Sequence, residues 1–136
     1  MQKLKKIDSQ TNVLTWFEIP VTDLDRAQQF YETILAIDMI KQGDGANEGV
    51  FFPFNPTVVQ ATSGRVTGVL AKSTTLPSQH GTIVYLNASP SIQLVLDKVE
   101  AAGGQIIEPK QLFGPVGYIA MILDSEGNKI GLHAEE

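Results

Sequence analysis

Phe17-Glu-Ile-Pro-Val-Thr-Asp-Leu-Asp-Arg-Ala-Gln-Gln-Phe-Tyr31 reads as a strand that runs directly into a helix. Residues 13–21, Val13 to Val21, have strand character. Thr22-Asp23-Leu24-Asp25 then has the form of a helix start, a hydroxyl cap followed three positions later by an acidic residue. Beyond it, Leu24, Ala27, Phe30, Tyr31, Ile34 and Leu35 fall at the three-and-four spacing that lines one helical face, while Asp25, Arg26, Gln28, Gln29 and Glu32 fall outside it. Phe30, in mid-stripe, is expected in the core.

Working outward, Ile37 to Ile40, Gly49 to Phe54 and Val66 to Ala71 read as three short strands separated by Gly, Asn, Asp and Pro. The second half repeats the plan. Gly81 to Asn87 is a strand, and Ser91 opens a helix with Ile92, Val95, Leu96 and Val99 on one face, which Gly103 and Gly104 stop. Strands at Ile106 to Glu108, Gly117 to Leu123 and Lys129 to His133 follow, the last two joined by the turn-forming Ser125-Glu-Gly-Asn128. The expected fold class is α+β, two paired β-α-β-β-β modules at about 13–72 and 81–134 within a single domain of 136 residues.

Composition narrows the function classes. With 43% apolar and 18% charged residues the chain is suited to a packed core. The net charge is −5, and apart from Lys3, Lys5 and Lys6 the basic residues are scattered, so nucleic acid is not an expected partner. The basic start runs into polar Ser9, Gln10, Thr11 and Asn12 rather than the apolar run of a secretory signal, and no stretch approaches a membrane span. Cysteine is absent, which removes disulfides, thiolate nucleophiles and thiolate ligands. A cytoplasmic location without membrane association is the expectation.

Three stretches, Phe17 to Tyr31, Val99-Glu-Ala-Ala-Gly-Gly104 and Leu123-Asp-Ser-Glu-Gly-Asn-Lys-Ile-Gly-Leu-His133, resemble in order and separation the vicinal oxygen chelate superfamily of glyoxalases, bleomycin resistance proteins and extradiol dioxygenases. The resemblance implies two modules curling as a barrel-like sheet around a cleft, commonly in a homodimer. It also implies a divalent metal held by His, Glu or Gln from four strands. Three of those positions fall here on Trp16, Ile83 and Gly131, none of which can ligate. The fourth belongs to the strand at Val66 to Ala71, yet from Gly49 to Leu96 there is no Asp or Glu, and the one His is His80 in a polar loop. No metal and no other cofactor is therefore expected.

Strand parity supplies the remaining candidates. Glu18 shares a face with Trp16, and His133 with Gly131, so both polar groups are expected in the cleft as a catalytic pair, a carboxylate orienting an imidazole for general acid–base work. The plain alternatives are a solvated Glu18 and a His133 near a fraying terminus. Tyr85 and Asn87 share a face with Ile83; with the flat Trp16 they would suit an organic ligand needing stacking and one or two hydrogen bonds, unless Trp16 and Tyr85 are core residues. Gly114-Pro-Val-Gly117 reads as a turn or as a flap beside the cleft. Two functions stay open. One is a metal-independent small-molecule-binding protein related to the drug-sequestering resistance members of the group. The other is a lyase or isomerase related to lactoylglutathione lyase, using Glu18 and His133 with or without a divalent metal.

Overall fold

Each half of the chain folds into the same unit, a strand, a helix and three further strands, in a computed structural model that describes residues 6–136. Lys3 and Lys5 of the basic start lie outside the described residues. The first module contains β1 (Phe17–Pro20), α1 (Leu24–Leu35), β2 (Ile40–Gln42), β3 (Gly49–Phe51) and β4 (Gly68–Ala71). The second contains β5 (Tyr85–Asn87), α2 (Ile92–Val99), β6 (Gln105–Leu112), β7 (Tyr118–Leu123) and β8 (Lys129–Ala134). The sheets have the same order, β1-β4-β3-β2 and β5-β8-β7-β6, with parallel β1·β4 and β5·β8 pairs and antiparallel pairs elsewhere. Both sheets are open.

The helical stripe is where the spacing puts it. Ala27, Phe30, Tyr31 and Ile34 are buried, with Leu24 and Leu35 packed partly buried beside them. Ile92, Val95, Leu96 and Val99 do the same on α2, and the two helices pack against each other, so one hydrophobic core serves both modules. Gly104 lies directly under the Phe30 ring: an added Cβ would approach Phe30 Cε2 to 2.7 Å and Leu123 O to 2.6 Å. α2 itself ends at Val99 with Glu100 as its C-cap, the turn that follows reaches Gly103 at φ 105°, and Gly104 lets the first module's helix approach the second module's sheet.

The strand boundaries differ from expectation in physically specific ways. Residues 13–16 do not join β1; Val13 and Leu14 are exposed, and the preceding Asn12 is tied to the 60–61 turn through its backbone and side-chain amides. β2 begins only at Ile40. β6 runs on past Glu108 through Pro109 to Leu112, which an edge strand allows because a missing N–H there breaks no ladder. The N-cap of α1 is Asp23, whose carboxylate accepts from the Arg26 N–H at 3.0 Å, in place of Thr22. No helix among the described residues is long and apolar enough to cross a membrane.

The turn between β7 and β8 clasps the modules together. Asp124 Oδ2 accepts a 2.6 Å hydrogen bond from the buried Tyr31 hydroxyl, and Asn128 donates to the Pro20 carbonyl at 2.7 Å. Burial, reinforced by Asp124, pushes the Tyr31 hydroxyl well above its ordinary 10, so it remains a donor. Glu126 Oε1 accepts from the backbone N–H groups of Thr22 and Asp23 at 2.9 Å each and from the Thr22 hydroxyl at 3.0 Å. Its Oε2 meets Arg26 Nε at 2.6 Å. Burial alone would raise the Glu126 carboxyl, but the Arg26 bond and then the Asp23 and Thr22 bonds outweigh it and hold the group at about 2.

Candidate functional site

Alternation along each strand sends one set of side chains into the helix-covered core and the other to the outer face of the sheet. On the first sheet the register Glu18↔Val69, Val69↔Phe51, Phe51↔Ile40 makes an outer row that is apolar except for Glu18. Trp16 stands just before β1 with its ring 5.6 Å from that of Phe51, and Phe54 follows at 6.0 Å from Phe51. On the second sheet the outer rows are Tyr85↔Gly131↔Met121 and Asn87↔His133↔Ile119.

The second of these faces carries a cavity of about 500 Å³, walled chiefly by Tyr85, Asn87, Phe113, Val116, Ile119 and His133. Its polar groups are few and oriented. His133 Nε2 lies 2.7 Å from the Val116 carbonyl oxygen. A carbonyl only accepts, so Nε2 carries a proton, and in the tautomer this fixes, Nδ1 is the acceptor. Asn87 Oδ1 accepts from the Ser89 N–H at 2.9 Å, which leaves its NH₂ as the donor. The Tyr85 ring covers Gly131, where an added Cβ would stand 2.5 Å from Tyr85 Cδ1.

Tyr85, Asn87 and His133, singled out in the sequence, therefore line one cavity. Glu18 lines a different, smaller groove of about 180 Å³ together with Ser78, His80 and Lys129. Within one chain the imidazole's partner is thus a backbone carbonyl, and Glu18 faces a hollow that His133 does not line. Trp16 lines neither of these, and is 43% exposed on the first sheet's outer side. Phe113 and Ile119 were not anticipated. Phe113 and Val116 flank or belong to a 3₁₀ turn at Gly114–Val116, the Gly-Pro-Val-Gly segment read as a turn or flap, so that segment forms a wall of the cavity.

Within one chain, the four-ligand metal site that the resemblance implies does not fit the described residues. At position 131 the space a ligand side chain would need is filled by the Tyr85 ring. Among the described residues no three His, Asp or Glu side chains converge.

The family model of the Glyoxalase/Bleomycin resistance protein/Dioxygenase superfamily matches residues 13–132 of this sequence. Among solved structures, the chain is similar to a glyoxalase/bleomycin resistance protein from Albidiferax ferrireducens T118, with 20% identity, 92% of this chain and 100% of that one covered, and a TM-score of 0.66. TnmS3, an antibiotic binding protein from Streptomyces sp. CB03234, is 21% identical over 92% of this chain and 97% of its own, with a TM-score of 0.60. The fosfomycin resistance protein FosX from Listeria monocytogenes, solved with Mn(II) and a dihydroxypropylphosphonic acid, is 18% identical over 89% and 90%, with a TM-score of 0.61. At these identities the likeness is one of fold. No curated protein matches the sequence.

Proposed function

Because the chain belongs to the glyoxalase/bleomycin resistance protein/dioxygenase superfamily, we propose that it binds a small organic molecule without a metal, in the cavity on the outer face of its second sheet. The observation that carries this reading is the lining: about 500 Å³ with apolar and aromatic walls and a few oriented polar groups. That size and composition suit a drug-sized ligand. An uncharged, partly aromatic molecule would lie against Tyr85 and Phe113, accept from the Asn87 NH₂ and donate to His133 Nδ1. The TnmS3 likeness supports binding as a role that this fold takes in another protein.

The protein acts as a homodimer in this proposal. Trp16, Ile40 and Phe54 leave 43%, 49% and 39% of their surfaces exposed on the first sheet's outer side, an apolar surface suited to a second copy. The second copy would bring Glu18 and Trp16 to the ligand, joining the residues that one chain keeps apart. The test is calorimetric titration with a panel of neutral aromatic and dicarbonyl compounds. Binding to the metal-free protein, weakened by about 1–3 kcal/mol in His133→Ala, is the expected result. Turnover of a dicarbonyl-derived substrate that requires an added divalent ion would replace this reading with the lyase one.

A further inference from the structure

Between the modules lies a second hollow of about 710 Å³, larger than the cavity on the second sheet. Leu14, Phe17, Leu35, Ile37, Phe52 and Val66 wall it from the first module, and the Thr82–Asn87 segment walls it from the second. None of its fifteen lining residues is charged. We infer that this inter-module cleft is a second binding site, for a neutral, predominantly apolar small molecule with a hydrogen-bond acceptor at one end. This goes beyond the proposed function and does not depend on it.

The class of ligand follows from the walls. An ion entering the cleft would lose hydration and meet no opposite charge, a cost an uncharged molecule avoids. The apolar walls are concave, so displacing their water with apolar surface is favourable, and the volume lies in the range of small-molecule sites. The polar positions are limited. The Thr67 hydroxyl is already donated to the Pro53 carbonyl at 2.9 Å, and Asn87 Oδ1 is held by the Ser89 N–H. What remains for a ligand is the Asn87 NH₂ and the hydroxyls of Thr82, Tyr85 and Ser89, all on the second module's side, which places the acceptor there.

The two hollows lie on either side of one strand. Phe113, Val116, Ile119 and His133 line only the sheet cavity, while the first-module residues, Pro53 and Thr67 included, line only the cleft. Tyr85, Leu86 and Asn87 line both, so that strand is β5, the edge strand of its sheet.

The test is a fluorescence titration of the full-length protein with N-phenyl-1-naphthylamine, a neutral probe whose emission rises in apolar surroundings. Val66→Trp and Ile37→Trp each fill the cleft without touching the sheet cavity, and Ile119→Trp fills the sheet cavity without touching the cleft. The wild type is expected to take two probes per chain and each folded cleft variant one fewer. Stoichiometry unchanged in the folded cleft variants overturns the cleft site. Stoichiometry unchanged only in Ile119→Trp leaves the cleft standing and counts against the sheet cavity instead. Should both cleft variants misfold, contacts between probe protons and the Leu14 methyls in NMR spectra of the wild type decide: their presence is expected, and their absence overturns the proposal. Probe binding to the cleft that weakens as protein concentration rises would show a second copy filling it, and would overturn the proposal as well.

Discussion

Replacing Glu126 by Gln perturbs the clasp with little change in volume. The side chain has no solvent-accessible surface of its own, and its two oxygens take bonds from the Thr22 and Asp23 backbone, the Thr22 and Ser125 hydroxyls and Arg26. Gln keeps one acceptor but turns a donor toward Arg26 Nε. A carboxyl lowered from 4.5 to about 2 in the folded chain corresponds to about 3 kcal/mol of stability. Arg26 is 54% exposed and its pair is screened, so we reduce this to about 2 kcal/mol. The folded-state pKa is depressed, so the contribution is complete above the unfolded value and disappears as pH falls through about 2. Urea unfolding of wild type and Glu126→Gln, followed by circular dichroism, should give a gap of about 2 kcal/mol at about pH 7 that narrows steadily below about pH 4.5. A gap under about 0.5 kcal/mol at neutral pH, or one as large at about pH 2.5 as at pH 7, would refute the assignment of the clasp to this carboxylate.

Phe30→Ala should destabilise by about 3–5 kcal/mol in the same assay, because Phe30 is 1% exposed, stacks edge-on with Tyr31 and covers Gly104. Gly131→Ala should displace the Tyr85 ring, which is 48% exposed and free to swing outward. The cost to folding is then modest, about 1 kcal/mol, whereas ligand binding to the sheet cavity should fall sharply in a titration, and Tyr85→Ala should relieve the folding cost. Elemental analysis of the purified protein should find no stoichiometric zinc, nickel, manganese or iron, and about one such ion per chain would end the metal-free reading.

The first helix was legible because its signal is periodic and its burial follows from its period: Ala27, Phe30, Tyr31 and Ile34 are inside because they are three and four apart. Its ends were less legible. Thr22 and Asp23 are both capable caps, and the choice fell to Asp23 because the Thr22 hydroxyl is engaged by Glu126, a partner 104 residues away. The last turn ends at Ala36 in the left-handed conformation, φ 54°, at a position the sequence does not mark with glycine. β6 extended past Pro109 because its place at the sheet edge, a tertiary fact, removes the penalty that proline carries in a central strand.

The same distinction explains the candidate site. Parity states which face of a strand a side chain takes, and the repeat states which strands pair; together they suffice for Tyr85, Asn87 and His133, because β5 pairs with β8 as β1 pairs with β4. Parity placed Glu18 on an outer face too, next to Val69. What parity cannot state is whether the outer faces of two different sheets look into one space. That depends on how the modules pack through α1, α2 and the Asp124–Asn128 clasp, contacts of long sequence separation with no periodic trace. The Val116 carbonyl that orients His133 is less visible still, since a backbone acceptor has no residue type to read. A pairing argument from sequence therefore holds within a sheet and fails between sheets, and joining Glu18 to His133 becomes a question of assembly. Two copies that exchange faces would unite them, and a strictly monomeric protein that binds ligand through His133 alone would separate them for good.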